Sequence, residues 1–242
     1  MIKNMIGMNM LKNIKPLIAL SALVLITACG GGGDGGTAAP VASSETFSIK
    51  AVRINGLLSP SSNKFTISGT LNGAAVTGSG SVTSSNLSAG TFEGLPALQR
   101  TTTATGSYVA NGVTYPLNSL SITWVDSNYE PKGSSNRSEY GVITGTPSIP
   151  TKAKINDSGT LFTFKRYTNS TKAVLLGTKT VSYVMEADTA STALLTIISV
   201  EKNTSNITTS TNSDQLRITP TGTYTPISET VVEGTTSLIV TY

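Results

Sequence analysis

Apolar and polar residues alternate with a period of two in several windows of this chain. The clearest windows are Phe65–Ser68, Leu120–Trp124 and Thr178–Val184. Successive side chains of an extended strand point to opposite faces, so this alternation indicates strands with one buried face. No window of ten or more residues shows a convincing helical stripe, and no helix is predicted in the body.

Two Asn-Gly pairs predict tight hairpin turns. Asn72-Gly73 and Asn111-Gly112 each lie between alternating windows, and both residue types accept the positive φ that such turns require. We therefore predict an all-β, antiparallel body, a sandwich or a barrel-like sheet, with roughly a dozen strands. An outer-membrane barrel fits this sequence poorly, because spanning barrels need apolar outward positions and aromatic girdles, and aromatic residues form only 6% of the chain.

The two halves of the body resemble each other in short motifs. Residues 47–50 match residues 162–165, and Thr103–Tyr108 matches Thr219–Tyr224 at nearly the same offset. These matches predict two related β modules, at 45–125 and 158–242, joined by a connector at 126–157. On this hypothesis Tyr108 and Tyr224 occupy equivalent places; the alternative is that strands rich in Thr and Ser match by chance.

The first 28 residues have the order of a secretion signal. Lys3, Lys12 and Lys15 precede an apolar run at 17–26, and the small residues Thr27 and Ala28 precede Cys29. The run is about ten residues long, whereas a membrane-spanning helix needs roughly 20. The pattern is typical of a signal peptide that is removed.

The segment Leu25–Cys29 resembles the lipobox of bacterial lipoproteins. The resemblance implies that Cys29 is acylated and becomes the first residue of the mature protein, which would sit on a membrane of the cell envelope. Residues 29–44 begin with Cys-Gly-Gly-Gly-Gly and predict a flexible tether. In enteric bacteria an aspartate after the lipidated cysteine retains a lipoprotein at the inner membrane; this position is Gly30, so we expect the outer membrane.

Charge and residue usage exclude several functions. After the signal, 14 basic residues face 13 acidic ones, and no basic cluster of the kind that nucleic acid requires remains. The chain has no histidine and a single cysteine, so histidine-based triads and zinc sites are excluded. Ser61 and Lys64 have the Ser-x-x-Lys spacing of some acyl-enzymes, but they follow Pro60 in what we expect to be a solvated turn.

The connector is the most unusual stretch, and we take it as the candidate recognition element. Loops carry binding more often than the strands that support them, and aromatic and Arg side chains dominate interface energetics. Alternate oxygen-bearing side chains from 126 to 130 are similar to the start of a calcium loop, but Pro131 stands where that loop needs glycine, and no metal or cofactor is predicted. The candidate binding residues are Trp124, Asp126, Tyr129, Glu130, Arg137 and Tyr140.

Two functional classes remain open. The first is a non-enzymatic lipoprotein of the envelope, with a structural role or a protein or glycan partner. The second is an envelope hydrolase that uses carboxylates alone, which would need two acids converging in one cleft. We favour the first, because no nucleophile and base stand out in the sequence.

Overall fold

The computed structural model describes residues 40–242. The signal peptide, Cys29 and the tether up to residue 39 lie outside the described residues. Within 40–242, no helix has the length and apolar character that crossing a membrane requires.

One helix and thirteen antiparallel strands form the body. The helix α1 (Ile49–Leu58) comes first. The strands follow in the order β1 (Ser61–Leu71), β2 (Ala74–Ser84), β3 (Ser88–Phe92), β4 (Leu95–Ala110), β5 (Val113–Val125), β6 (Pro131–Asn136), β7 (Glu139–Thr144), β8 (Ser158–Tyr167), β9 (Leu175–Ala187), β10 (Ala193–Lys202), β11 (Thr208–Ile218), β12 (Tyr224–Glu233) and β13 (Thr236–Thr241).

Twelve of the strands close into a barrel. Neighbours in sequence pair from β4 through to β13, β13 pairs with β1, and β1 pairs with β2. The ring is closed by β2 and β4, which pair from Val76 with Ala110 to Ser84 with Thr102. The remaining strand, β3, pairs with the first residues of β4 and stands outside the ring. The predicted antiparallel, barrel-like fold is confirmed.

The barrel has two unlike ends. At one end, here called the hairpin end, six connections join β1 to β2, β4 to β5, β6 to β7, β8 to β9, β10 to β11 and β12 to β13, and all but those after β8 and β10 are two-residue turns. Asn72 and Asn111 have φ near 51° there and the glycines after them are also positive, so both predicted Asn-Gly turns are confirmed. The other end, the plug end, holds α1 and connections of five or more residues between the ring strands.

The prediction that the body contains no helix is wrong. Ser48 accepts a hydrogen bond from the backbone N–H of Ala51 and begins α1, as an N-cap does. The buried residues of the helix lie on one face, with the spacing of three and four that one helical stripe requires, and they are Ile49, Val52, Arg53, Gly56 and Leu57. Because Arg53 and Gly56 interrupt the apolar stripe, the sequence pattern hides it.

Two apolar clusters fill much of the interior. One lies under β1, β2, β13 and their neighbours and includes Phe65, Val82 and Leu238. The other lies between α1 and β8–β11 and includes Val52 and Leu216. The helix thus closes the plug end by burying its face against the barrel wall.

The segments predicted as two modules and a connector form a single sheet. The connector contributes β6 and β7 to the ring, because its strands pair with β5 and β8. Tyr108 lies near the hairpin end of β4, whereas Tyr224 begins β12 at the plug end. The short sequence matches therefore do not place these two tyrosines in equivalent positions.

Candidate functional site

The six candidate binding residues do not form one surface. Strand alternation and the position of the turns separate them into three places: the loop between β5 and β6 at the plug end, the outer face of β5 and β7, and the turn between β6 and β7. The single recognition element predicted from the sequence is therefore not assembled in the fold.

Asp126, Tyr129 and Glu130 lie in the loop that holds α1 in place. Lys50 Nζ donates to Glu130 Oε1 over 2.7 Å, and Arg53 Nη1 donates to the backbone oxygen of Tyr129. Asp126 accepts the backbone N–H groups of Asn128 and Glu130 at 2.9 Å, which orders the loop. These contacts fix α1 to the loop between β5 and β6.

Trp124 and Tyr140 are buried on the outer face of the barrel, where β3 covers them. Phe92 of β3 lies 5.0 Å from Trp124 and 5.5 Å from Tyr140 between ring centroids. The phenol of Tyr140 donates to Glu93 Oε1 over 2.7 Å, and Lys172 contacts the same carboxylate. Both aromatic residues are 8% exposed, so they support the β3 hairpin and offer no open contact surface.

Arg137 is exposed in the turn between β6 and β7. This turn belongs to the hairpin end, at the opposite end of the barrel from the loop that holds Tyr129. Of the six candidates, it is the one whose side chain is fully available to a partner.

The Ser61 and Lys64 pair is not in a loop. Both residues begin β1, so residues three apart point to opposite faces of the strand. The lysine therefore cannot act as a base on this serine.

Four acidic residues point into the barrel, a feature that the sequence analysis missed. Glu139 and Glu201 both contact Arg166, the first over 2.7 Å, and Lys179 Nζ lies 3.1 Å from Glu201 Oε1. Burial is the largest single influence and by itself lowers the pKa of the Arg166 guanidinium, but the hydrogen bond that Arg166 donates to Glu139 and the charges of Glu139, Glu201 and Glu233 together outweigh it, so the pKa is raised. The inward position of these charged residues could have been predicted from the alternation on β9 and β10, because Lys179 and Glu201 have the same parity as buried apolar neighbours.

The other two inward acids face each other across a ladder. Asp214 pairs directly with Glu229 between β11 and β12. Glu229 accepts Asn212 Nδ2 at 2.6 Å and the phenol of Tyr242 at 3.3 Å. Asp214 is 4% exposed and Glu229 is 0% exposed, so this acid pair lies inside the wall and not in a cleft.

A recess of about 800 Å³ opens on the outer wall over β1, β2, β4 and β13. Outward hydroxyl side chains and one lysine line it, since Lys64 and Thr66 point outward between the buried Phe65 and Ile67. Gly80 forms part of its floor, and a Cβ there would lie 2.6 Å from the ring of Phe65. Phe65, Gly106 and Tyr242 also line the recess, and its outward polar side chains are Lys64, Thr66, Ser79, Ser81, Thr105, Ser107 and Thr241.

Cys29, the predicted acylated residue, lies outside the described residues. Among residues 40–242, no group of three or more His, Cys, Asp or Glu side chains is placed to hold a metal ion. Compared with known proteins, the chain matches no protein family, no curated protein and no solved structure.

Proposed function

We propose that this chain is a lipid-anchored protein of the bacterial cell envelope whose barrel is a non-catalytic binding module, and that its ligand is an envelope glycan. Acylated Cys29 is the anchor in this proposal, the tether ends before Val41, which pairs with Asp188, and the outer membrane is the expected location. The observation that carries the binding role is the hydroxyl-lined recess on the outer wall.

The size and chemistry of the recess support a glycan ligand. A volume of about 800 Å³ falls within the range of roughly 300–1,000 Å³ that is usual for ligand sites. Each Ser and Thr hydroxyl both donates and accepts hydrogen bonds, as sugar hydroxyls do. Thr66, Ser79 and Ser107 align across three strands, because Thr66 pairs with Ser79 and Ser79 with Ser107. A row of hydroxyls of this kind suits an extended polyhydroxyl chain.

The positions of the acids favour binding over hydrolysis. A carboxylate hydrolase needs two acids that reach the same substrate bond. The facing acids Asp214 and Glu229 are enclosed by the barrel, and Glu139 and Glu201 are buried on Arg166. A polymer that rests on the outer wall does not reach either pair.

Cosedimentation with purified peptidoglycan sacculi and with lipopolysaccharide tests the proposal. The double variant Ser81→Ala with Thr105→Ala removes two hydroxyls of the recess, and we expect it to weaken binding by at least about tenfold, since each hydrogen bond contributes roughly 1 kcal/mol. Thr225→Ala, an exposed strand threonine outside the recess, is the matched control. Equal binding by all three proteins would exclude the recess, and release of soluble sugar fragments would favour the hydrolase alternative.

The anchor is tested separately by metabolic labelling with palmitate. Label should enter the wild-type protein and be lost in Cys29→Ala. Continued labelling of that variant would contradict the anchor without bearing on the recess.

A further inference from the structure

The guanidinium of Arg53 is buried with part of its hydrogen-bonding capacity unused. The residue is 5% exposed, and its Nη1 donates to the backbone oxygen of Tyr129. Within the described residues 40–242, its Nε and Nη2 atoms have no hydrogen-bond partner. These two atoms form the edge of a guanidinium that grips a carboxylate with two parallel hydrogen bonds.

Arg53 lines a small cavity between α1 and the barrel wall. The cavity has a volume of about 30 Å³, and roughly 10–15 Å³ suffices for one water-sized group. Apart from Arg53 its lining is apolar and includes Ile49, Val52, Leu161, Val181 and Leu195. The guanidinium of Arg53 thus lies beside an apolar cavity under α1.

The acids nearest to Arg53 are engaged with other groups. Glu130 accepts Lys50, and Asp126 accepts two backbone N–H groups and lies 3.3 Å from Lys132. Lys50, Arg53 and Lys132 carry three positive charges, and Asp126 and Glu130 carry two negative ones. This group of residues therefore has an excess of one positive charge. An anion at Arg53 would neutralise it.

We propose that this cavity is a binding site for a short-chain carboxylic acid. The carboxylate lies on the Nε and Nη2 edge of Arg53, and the alkyl tail occupies the apolar space towards Val181. The two hydrogen bonds supply the partners that the buried guanidinium lacks, and burial of the tail removes apolar surface from water. The Arg53 cavity is separate from the outer recess, so a test of this proposal does not depend on the glycan proposal.

Calorimetric titration of the full lipidated protein in a nonionic detergent tests the site. The probes are acetate, propionate, butyrate and octanoate, with the neutral amides of the first three as isosteric controls. We expect saturable binding of the short acids, no binding of the amides, and weaker binding of octanoate because its tail exceeds the cavity. Binding that grows steadily with chain length, or no saturable binding of any short acid, would overturn the proposal and leave a cavity that holds water only.

Three variants separate the guanidinium from the space beside it. Arg53→Lys keeps the charge but loses the paired donors, and we expect affinity to fall by about tenfold or more, the usual effect of one lost charge-assisted bond. Val181→Ile adds one methylene at the cavity wall and should exclude butyrate while acetate still binds. Arg137→Lys, at the opposite end of the barrel, is the control and should bind as wild type does. Equal affinity of Arg53→Lys and wild type would contradict the site, and should Arg53→Lys fail to fold, the Val181→Ile and amide results decide the question.

Discussion

The phenol oxygen of Tyr242 lies 3.3 Å from Oε2 of Glu229, inside the barrel. Glu229 is fully buried, and Asp214 faces it from the neighbouring strand. A phenolate at this position would lose hydration and would meet two acidic groups. Burial, followed by the charges of Glu229 and Asp214, therefore raises the pKa of Tyr242 well above its ordinary value.

This arrangement predicts a loss of stability in alkaline solution. Because the pKa of Tyr242 is higher in the folded state, its contribution is fully present below the unfolded value of about 10 and is lost as the pH rises above it. Urea unfolding at pH values on either side of 10 should show a steep fall for wild type and a shallower one for Tyr242→Phe. Tyr115→Phe, at an exposed tyrosine, should follow wild type; identical slopes for all three proteins would contradict the prediction.

Arg166 neutralises two buried acids, so its loss should be costly. Arg166→Met removes the ion pairs that Arg166 makes with the buried Glu139 and Glu201. We expect the free energy of unfolding to fall by about 3–5 kcal/mol, as when one member of a buried ion pair is removed. Adding Glu139→Gln should recover part of that loss.

The control for Arg166 is an ion pair at the surface. Arg217 contacts Asp188 over 2.7 Å; half of the Arg217 side chain is exposed, whereas that of Asp188 is 10% exposed, so water screens this pair in part. Arg217→Met should therefore lower the denaturation midpoint much less than Arg166→Met does. A large loss there, or none in Arg166→Met, would show that burial is not what sets the difference.

Gly222 and Gly73 form a matched pair for testing how α1 is seated. Both have φ near +80°, but a Cβ on Gly222 would lie 2.6 Å from the Cβ of Ala51, whereas a Cβ on Gly73 would meet nothing within 4 Å. Both Ala variants should lose about 1–2 kcal/mol from the positive φ, and Gly222→Ala a further ~1–3 kcal/mol from the clash. Hydrogen exchange should show faster opening of 49–58 in Gly222→Ala only. Equal behaviour of the two variants would mean that the helix does not rest on Gly222.

Trp124 reports whether the β3 hairpin covers the outer wall. It is the only tryptophan in the chain, and the ring of Phe92 lies 5.0 Å from it. Phe92→Ala should expose the indole, so its emission should shift to longer wavelength and acrylamide should quench it more strongly. Phe65→Leu, in a different apolar cluster, should leave the emission unchanged. An unshifted spectrum in Phe92→Ala would contradict this packing.

Local patterns in the sequence predict where the strands lie along the chain, but not which strands pair in the sheet. Alternation and the Asn72-Gly73 turn report on residues adjacent in the chain, and both predictions are confirmed. Closure depends on Val76 pairing with Ala110 across an intervening strand, and no period in the sequence carries that information. The two-module hypothesis rests on short matches between segments that the fold joins in one ring.

The candidate site was harder to predict because burial depends on distant segments. Trp124 and Tyr140 are on the outer face, where exposure would be expected, and only the folded-back β3 covers them. Arg53 lies at a buried position of α1. Because a charged residue at that position interrupts the apolar stripe, the sequence pattern did not predict the helix. The inward acids could have been found, since Asp214 shares the parity of the buried Leu216 and Ile218 on β11.

The orientation of the barrel relative to the membrane, on the proposed lipid anchor, tests the account most directly. Val41 pairs with Asp188 at the plug end, so on this proposal the tether joins the barrel there, and the hairpin end should point away from the membrane. Ser191→Cys at the plug end and Ser205→Cys at the hairpin end are separated by the length of β10, about 25 Å along the barrel axis for a tilted strand of this length. In vesicles with a fluorescent acceptor lipid, a donor at 191 should transfer energy more efficiently than one at 205, and Cys29→Ala should abolish both signals. Equal transfer from the two positions, stronger transfer from 205, or transfer that persists without Cys29 would contradict a barrel held plug end down by a lipid on Cys29.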